Sequence, residues 1–228
     1  SQEKSSVTIS SPGNINEIIF QISESGTPFY QVKHNETIVI DSSFMGFEFK
    51  NQTSLKSNLK INNVQTGTLN ETWEMPWGEQ RIVKNNYNEL QVELEETEEP
   101  NRKIVIYFKA YDDGIGFRYE FPKQDGVDSI IIMDELTEFK LTGNHTTWWI
   151  PGDWDIYEHL YNTTKISEIN ATAFSNNGLA QTYIPQNAVN TPATMRTNEG
   201  LHLSFHEANL TDYAGMTLKV DTVSYKLT

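Results

Sequence analysis

The sequence predicts an all-β, mostly antiparallel protein with little helix, and three observations carry that reading. Short runs alternate apolar and polar residues, the period of a strand with one face on a core. Turn signals return about every ten residues, as they do in sandwiches and barrels. No run of helical period exceeds about two turns. The length of 228 residues suits one large β domain or two small ones. A division near residue 125 is one option, but no Pro/Gly/Ser-rich linker marks it, so a single domain over 1–228 is the expectation.

Taken in order, Val7–Ser11 and Glu17–Ser23 read as strands around the turn Pro12-Gly13-Asn14. Ile18, Phe20 and Ile22 share one face of the second. Pro28–Val32 is the next strand, and His34-Asn35-Glu36 turns it into Thr37–Ile40. Phe47 and Phe49 share a parity, and Gly46 before them marks a bulge or a close backbone approach. Residues 50–70 are polar, with weak alternation around Leu59 and Ile61. Thr72–Glu79, holding Trp73 and Trp77, reads as an irregular loop with its tryptophans folded onto the core edge. Arg81–Lys84 and Glu89–Glu95 read as paired strands flanking Asn85–Asn88. The glutamates from Glu93 to Glu99 read as a strand end and a solvated turn, since like charges at that density need water.

The best-patterned hairpin follows. Ile104, Ile106 and Phe108 alternate, Asp112-Asp113-Gly114 supplies turn chemistry, and Ile115, Phe117, Tyr119 and Phe121 share a face of the return strand. Ser129–Met133 resembles a short buried strand, and Asp134–Phe139 suits a strand or one helical turn. Trp148–Ile150 reads as a buried strand that leaves the core at Pro151-Gly152. His159–Glu168 and residues 170–182 read as loops, whereas Leu201–Ala208 and Leu218–Val220 read as strands. The alternation runs up to Thr228, which suggests a piece of a longer protein.

Composition excludes several functions. The net charge of −14, from 31 acidic and 17 basic residues, opposes binding to nucleic acid or to an anionic membrane surface. No apolar run approaches the roughly 20 residues of a membrane span. Without cysteine there is no disulfide, thiolate metal site or cysteine nucleophile. Seven Asn-x-Ser/Thr sequons are weak signals in a chain this rich in Asn and Thr. The start, Ser1 to Ser6, looks like either a mature amino terminus or a leftover of expression, so the missing signal peptide says little about export.

Chemistry concentrates in Trp148–Glu158, which packs three of the five tryptophans and three carboxylates into eleven residues. Aromatic faces stack on sugar rings, and carboxylates accept from hydroxyls or ligate hard cations. The competing reading is a core strand with buried aromatics. Asp153, Asp155 and Glu158 loosely match part of a calcium loop, but calcium takes roughly six to eight oxygens and this stretch alone cannot supply them. His202 and His206 share a strand parity beside Glu207; zinc would need a third ligand, and the alternative is a solvent-facing or core-edge pair. A nucleophile elbow and a phosphate loop are both absent from the sequence.

Five strings are more specific: Glu71–Glu79, Asn86–Leu90, Asp113–Pro122, Trp149–Asp153 and His206-Glu207-Ala208. In this order, and across nearly the whole chain, they resemble the amino-terminal domain of glycoside hydrolase family 97. The resemblance implies a β-super-sandwich of the galactose-mutarotase type, followed in the family by a catalytic (β/α)8 barrel and a small carboxy-terminal β domain. Family members include inverting α-glucosidases and retaining α-galactosidases, largely periplasmic. It also implies that Glu158, shortly after the Trp-Ile-Pro-Gly-Asp string, reaches into the barrel and helps bind a catalytic calcium. On that reading Asp153, Trp154, Asp155 and Glu207 are candidates for contact with an oligosaccharide substrate. The catalytic acid and base or nucleophile lie in the barrel, so this chain alone is expected to be inactive. The rival expectation is a free-standing carbohydrate-binding module using Trp73, Trp77, Trp148, Trp149 or Trp154; a purely structural sandwich is a third.

Overall fold

The computed structural model describes residues 5–127, 129–174 and 182–228. They fall into two compact units, Ser1–Thr137 and Glu138–Thr228. The strands pair antiparallel within each unit, the only helical elements among the described residues are two short 3₁₀ turns, and the sheets are open, as the all-β sandwich reading requires.

The first unit begins with a meander of β1 (Ser6–Ser10), β2 (Asn16–Ile22), β3 (Pro28–His34) and β4 (Thr37–Phe44). The β3–β4 turn is a two-residue one, with Asn35 and Glu36 both at positive φ (46° and 64°), the geometry that matches strand twist. A second sheet runs β6 (Leu59–Glu74), β7 (Ile82–Glu96), β8 (Lys103–Ala110) and β9 (Ile115–Glu120). The two sheets bury their alternating faces on each other, with Ile18, Phe20 and Tyr30 opposite Leu90, Ile106 and Phe108, all at most 1 % exposed. Ring contacts bind the layers: Phe20–Phe108 at 5.7 Å and Tyr30–Phe117 at 5.5 Å between centroids. β5 (Phe47–Phe49) pairs with β10 (Ile132–Glu135). Gly46 sits where a Cβ would come within 2.8 Å of Lys56 Cβ and 2.9 Å of the Leu55 carbonyl, the close approach its position suggested.

Several expectations in this unit are corrected. Residues 59–96 form one long hairpin, where the sequence shows only weak alternation around Leu59 and Ile61 and a short strand pair at Arg81–Lys84 and Glu89–Glu95. Thr72–Glu74 lies in β6, and Asn85–Asn88 lies inside β7 rather than in a turn. β7 pairs with β8 only over Asn88–Glu95, so beyond that point β6 and β7 continue as a two-stranded ribbon. Such a ribbon has solvent on both faces and shows no period-two apolar code. Trp73 and Trp77 lie toward its apex, exposed (44 % and 81 %) rather than on a core edge. Ile131 and Met133 are also exposed, because β10 meets only the short β5 and nothing covers their face among the described residues.

Glu96 is another correction. Instead of facing water it is buried with Arg102 across the β7–β8 turn. Arg102 Nη2 donates to Glu96 Oε1 at 2.6 Å, and Nε and the backbone N–H donate to Oε2 at 2.8 and 2.9 Å. Nη2 also donates to Thr53 Oγ1, and the guanidinium lies 5.3 Å from the Phe49 ring centroid. A fork of this kind satisfies a carboxylate that sequence charge density would send to solvent.

The second unit contains β11 (Phe139–Leu141), β12 (Thr146–Trp149), β13 (Asn162–Lys165), β14 (Ala188–Asn190), β15 (Ala193–Arg196), β16 (His202–Phe205), β17 (Thr217–Asp221) and β18 (Lys226–Leu227). One sheet has the order β13-β12-β15-β16, and the other brings β11, β18, β17 and β14 together. Trp149, Ile166, Val189, Met195, Leu218 and Leu227 form its core, each at most 2 % exposed. β13 and the 3₁₀ turn Ile166–Glu168 replace the loop expected over 159–168. A second 3₁₀ turn covers Ala171–Phe174; the rest of the loop expected to residue 182 lies mostly outside the described residues.

Candidate functional site

The site is built outward from β12. Trp149 is buried (2 %), and its indole N–H donates to Thr164 Oγ1 at 3.0 Å. Trp148, on the other face, stacks on the His202 ring at 6.1 Å. The chain does not leave the core at Pro151-Gly152. Gly152 N–H donates to Ala188 O at 2.8 Å, and Ile184 N–H donates to Gly152 O at 2.9 Å. A Cβ on Gly152 would lie 3.1 Å from Ile184 Cδ1 and 3.2 Å from Ala188 O, so only glycine fits without displacement.

Asp153 is the last buried residue before the chain turns outward, and its side chain has no exposed surface. Oδ1 accepts from the backbone N–H of Asp155 (2.9 Å) and Ile156 (3.1 Å). Oδ2 accepts from Thr182 Oγ1 (3.1 Å) and His159 Nε2 (3.0 Å). Burial pushes the carboxyl pKa up, but these four hydrogen bonds outweigh it and hold the group below the usual carboxylate value. The backbone of Asp153 is fixed in turn by Asn190, itself fully buried. Asn190 Oδ1 accepts from Asp153 N–H at 3.2 Å, and its amide reaches the carbonyls of Asp153 and Ile156, each at 3.4 Å.

From here the chain turns outward. Trp154 is 70 % exposed, Tyr157 57 % and Leu160 92 %, while Asp155 and Glu158 are exposed as well. Neither the Asp155 nor the Glu158 carboxylate has a hydrogen-bond or ion-pair partner among the described residues. Five residues apart, then, one acid is wholly used by the protein and another is left open.

Glu207 lies away from this loop in the chain and is also engaged. Oε2 accepts from Thr191 Oγ1 at 2.9 Å, and Oε1 accepts from Met216 N–H, which ties the segment after β16 to the start of β17. His206 is exposed and its Nδ1 lies 3.1 Å from the Glu207 carbonyl. Among the described residues no group of three or more His, Asp or Glu side chains is placed to hold a metal ion. Within this loop the carboxylates left open among the described residues are those of Asp155 and Glu158. Calcium takes roughly six to eight oxygens, so these two carboxylates alone do not make a site for it.

Sequence reasoning singled out the acids but not the residues that sort them. His159 was assigned to a loop, and Thr182 and Asn190 were not marked. The one local signal was His159 six residues after Asp153, close enough to fold back onto it.

The fold is thus an antiparallel β-sandwich in which, among the described residues, the Glu158 carboxylate stays open on an anchored, aromatic-rich loop. The family model described as Glycosyl-hydrolase 97 N-terminal matches residues 9–227, and the chain belongs to that family. Among solved structures, a glycoside hydrolase family 97 enzyme from Pseudoalteromonas sp. strain K8, a variant in complex with panose, is 36 % identical over 97 % of this chain, with a TM-score of 0.84. The enzyme from the same strain in complex with acarbose aligns at 36 % identity and a TM-score of 0.83. A β-arabinopyranosidase shares the fold at a TM-score of 0.81 and 21 % identity. This chain spans 31 % of the length of the Pseudoalteromonas enzymes. No helix among the described residues is long and apolar enough to cross a membrane.

Proposed function

We propose that this chain is the amino-terminal domain of a calcium-dependent, exo-acting glycosidase of α-glucosidase or α-galactosidase type. It packs on a catalytic barrel of the same polypeptide and lends Glu158 to the cation. The observation that carries the reading is the open Glu158 carboxylate on a loop anchored at Asp153, in a domain whose relatives were solved with panose and acarbose. Trp154, Tyr157 and Leu160 present the apolar surface for the barrel and for sugar rings, and Asp155 offers an acceptor for sugar hydroxyls. Asp153 and Glu207, whose oxygens are taken by protein donors, serve this site through the backbone they hold. A bound calcium would supply polarisation or positioning of water or a sugar hydroxyl. The location that suits such an enzyme is the periplasm.

In the full-length enzyme, Glu158→Gln is expected to weaken calcium binding, measured by isothermal titration, and to lower turnover. Unchanged calcium affinity rejects the ligand assignment. The 228-residue chain alone is expected to hydrolyse neither α-glucosides nor α-galactosides, and turnover by it sinks the reading.

The second reading, a carbohydrate-binding module, draws support from the exposure of Trp77 and Trp154 and none from Trp149, which is buried. It requires saturable glycan binding by the isolated chain that is lost on Trp77→Ala or Trp154→Ala.

A further inference from the structure

The Glu158 loop is tied down on both sides of the residue it presents, and one carboxylate makes both ties. On the amino-terminal side, Asp153 Oδ1 accepts from the N–H groups of Asp155 and Ile156. On the carboxy-terminal side, Oδ2 accepts from His159 Nε2 at 3.0 Å. Only Tyr157 and Glu158 lie between the two ties. We propose that the Asp153–His159 pair is a positioning bracket that presets the pose of Glu158. The proposal rests on the reading of Glu158 as a ligand.

Three features support the bracket over incidental packing. Asp153 has no exposed side-chain surface and all four of its acceptor bonds are used, so it has no capacity left for a ligand of its own. An ionised carboxylate can only accept, so in this contact His159 Nε2–H is the donor. The ring is fixed further by Tyr183, 5.2 Å away between centroids, and is only 10 % exposed although its neighbours Glu158 and Leu160 face solvent. A residue that returns to the interior between two exposed ones stops the loop from swinging. Ordering the ligand before the cation arrives removes that ordering cost from binding.

The test separates hydrogen bonding from packing. His159→Leu fills the space without a donor, whereas His159→Gln keeps an amide N–H near the Nε2 position. Calcium titration of the full-length enzyme is expected to show about a tenfold loss of affinity for His159→Leu, the scale of losing a partner that orients a ligand. His159→Gln is expected to stay near wild type. Amide hydrogen exchange at Asp155 and Ile156 is expected to quicken in the leucine variant and not in the glutamine one. Equal behaviour of the two variants in both measurements overturns the bracket. If Glu158→Gln leaves calcium binding intact, the ligand reading fails by itself, and the bracket is then decided by the exchange data: unchanged exchange in His159→Leu overturns it.

Discussion

The apex of the β6–β7 ribbon and the loop after Asp153 both show solvent an exposed tryptophan beside carboxylates, yet they are held in different ways. Around Trp77 the order is mostly backbone: a two-stranded ladder helped by exposed side-chain contacts, Trp73 Nε1–H to Met75 Sδ at 3.3 Å and Glu74 with Arg81 at 3.6 Å. Around Trp154 the pairing is down to a single bridge, Asp153 opposite Tyr183 with Trp154 N–H donating to Thr182 O at 2.9 Å, and a buried acid with four donors adds to it. An isolated hairpin is marginal in water, and exposed ion pairs add little to it. A buried carboxylate with a full set of donors fixes a loop where regular pairing ends. Exposed aromatic chemistry can therefore stand on a regular but loosely supported arm or on an irregular but tightly anchored loop, and the second is the better platform for presenting one side chain.

Breaking each anchor tests the contrast. The largest effect is expected at the base of the ribbon, where Arg102→Ala strands the buried Glu96 carboxylate. A loss of about 3–5 kcal/mol in urea unfolding of the first unit is the expectation. A loss under about 1 kcal/mol would show that the β7–β8 corner does not depend on the pair.

Next comes Asp153→Ala, which orphans two backbone N–H groups, the Thr182 hydroxyl and the His159 ring nitrogen. About 2–4 kcal/mol of second-unit stability is expected to go, with some donors rescued by water. Amide exchange in the ribbon is expected to stay unchanged; a parallel change there would break the distinction between the two anchors.

Smaller still is Trp77→Ala, expected to alter stability by no more than about 0.5 kcal/mol because the ring is 81 % exposed. Thermal unfolding of this variant beside Trp149→Ala, where burial predicts a loss of about 3–5 kcal/mol, separates a presented tryptophan from a core one.

The smallest effect concerns acid. Asp221 accepts from Val223 N–H, Ser224 N–H and Ser224 Oγ in the β17–β18 turn, and these bonds pull its pKa from 3.8 to about 2. A depressed carboxylate contributes stability above its ordinary pKa and loses it as pH falls through the folded value. For Asp221 that window runs from 3.8 down to about 2. Asp153 acts in the same direction below 3.8. Replacing Asp221 with Asn is expected to flatten the acid limb of a stability-against-pH curve slightly in that window, and a steeper limb would contradict the sign.

Much of the fold was legible where one face of a strand is wet and the other dry. Ile104, Ile106 and Phe108 alternate because β8 is a core strand, and Asp112-Asp113-Gly114 names its turn. β6 was not legible, because a ribbon with water on both faces has no reason to alternate. Nor was Glu96: the run of glutamates around it pointed to solvent, and the partner that reverses this lies beyond a turn. In the site, the Trp-Ile-Pro-Gly-Asp string and its following acids marked the region, and Glu158 was singled out only by family resemblance.

By itself the sequence determined the antiparallel β class, the acidic surface that turns away polyanions and the stretch where aromatic and acidic side chains gather. Tertiary structure decided which of those acids is free. Asp153 and Glu158 carry the same group five residues apart, and what separates them is the set of donors each meets. His159 folds back from six residues ahead, while Thr182 and Asn190 arrive from elsewhere in the chain to enclose Asp153 and its backbone. Glu158, with no donor on its carboxylate among the described residues, is exposed. Burial and hydrogen bonding are properties of the assembled surroundings, so a carboxylate's role is settled only when the chain has closed around it.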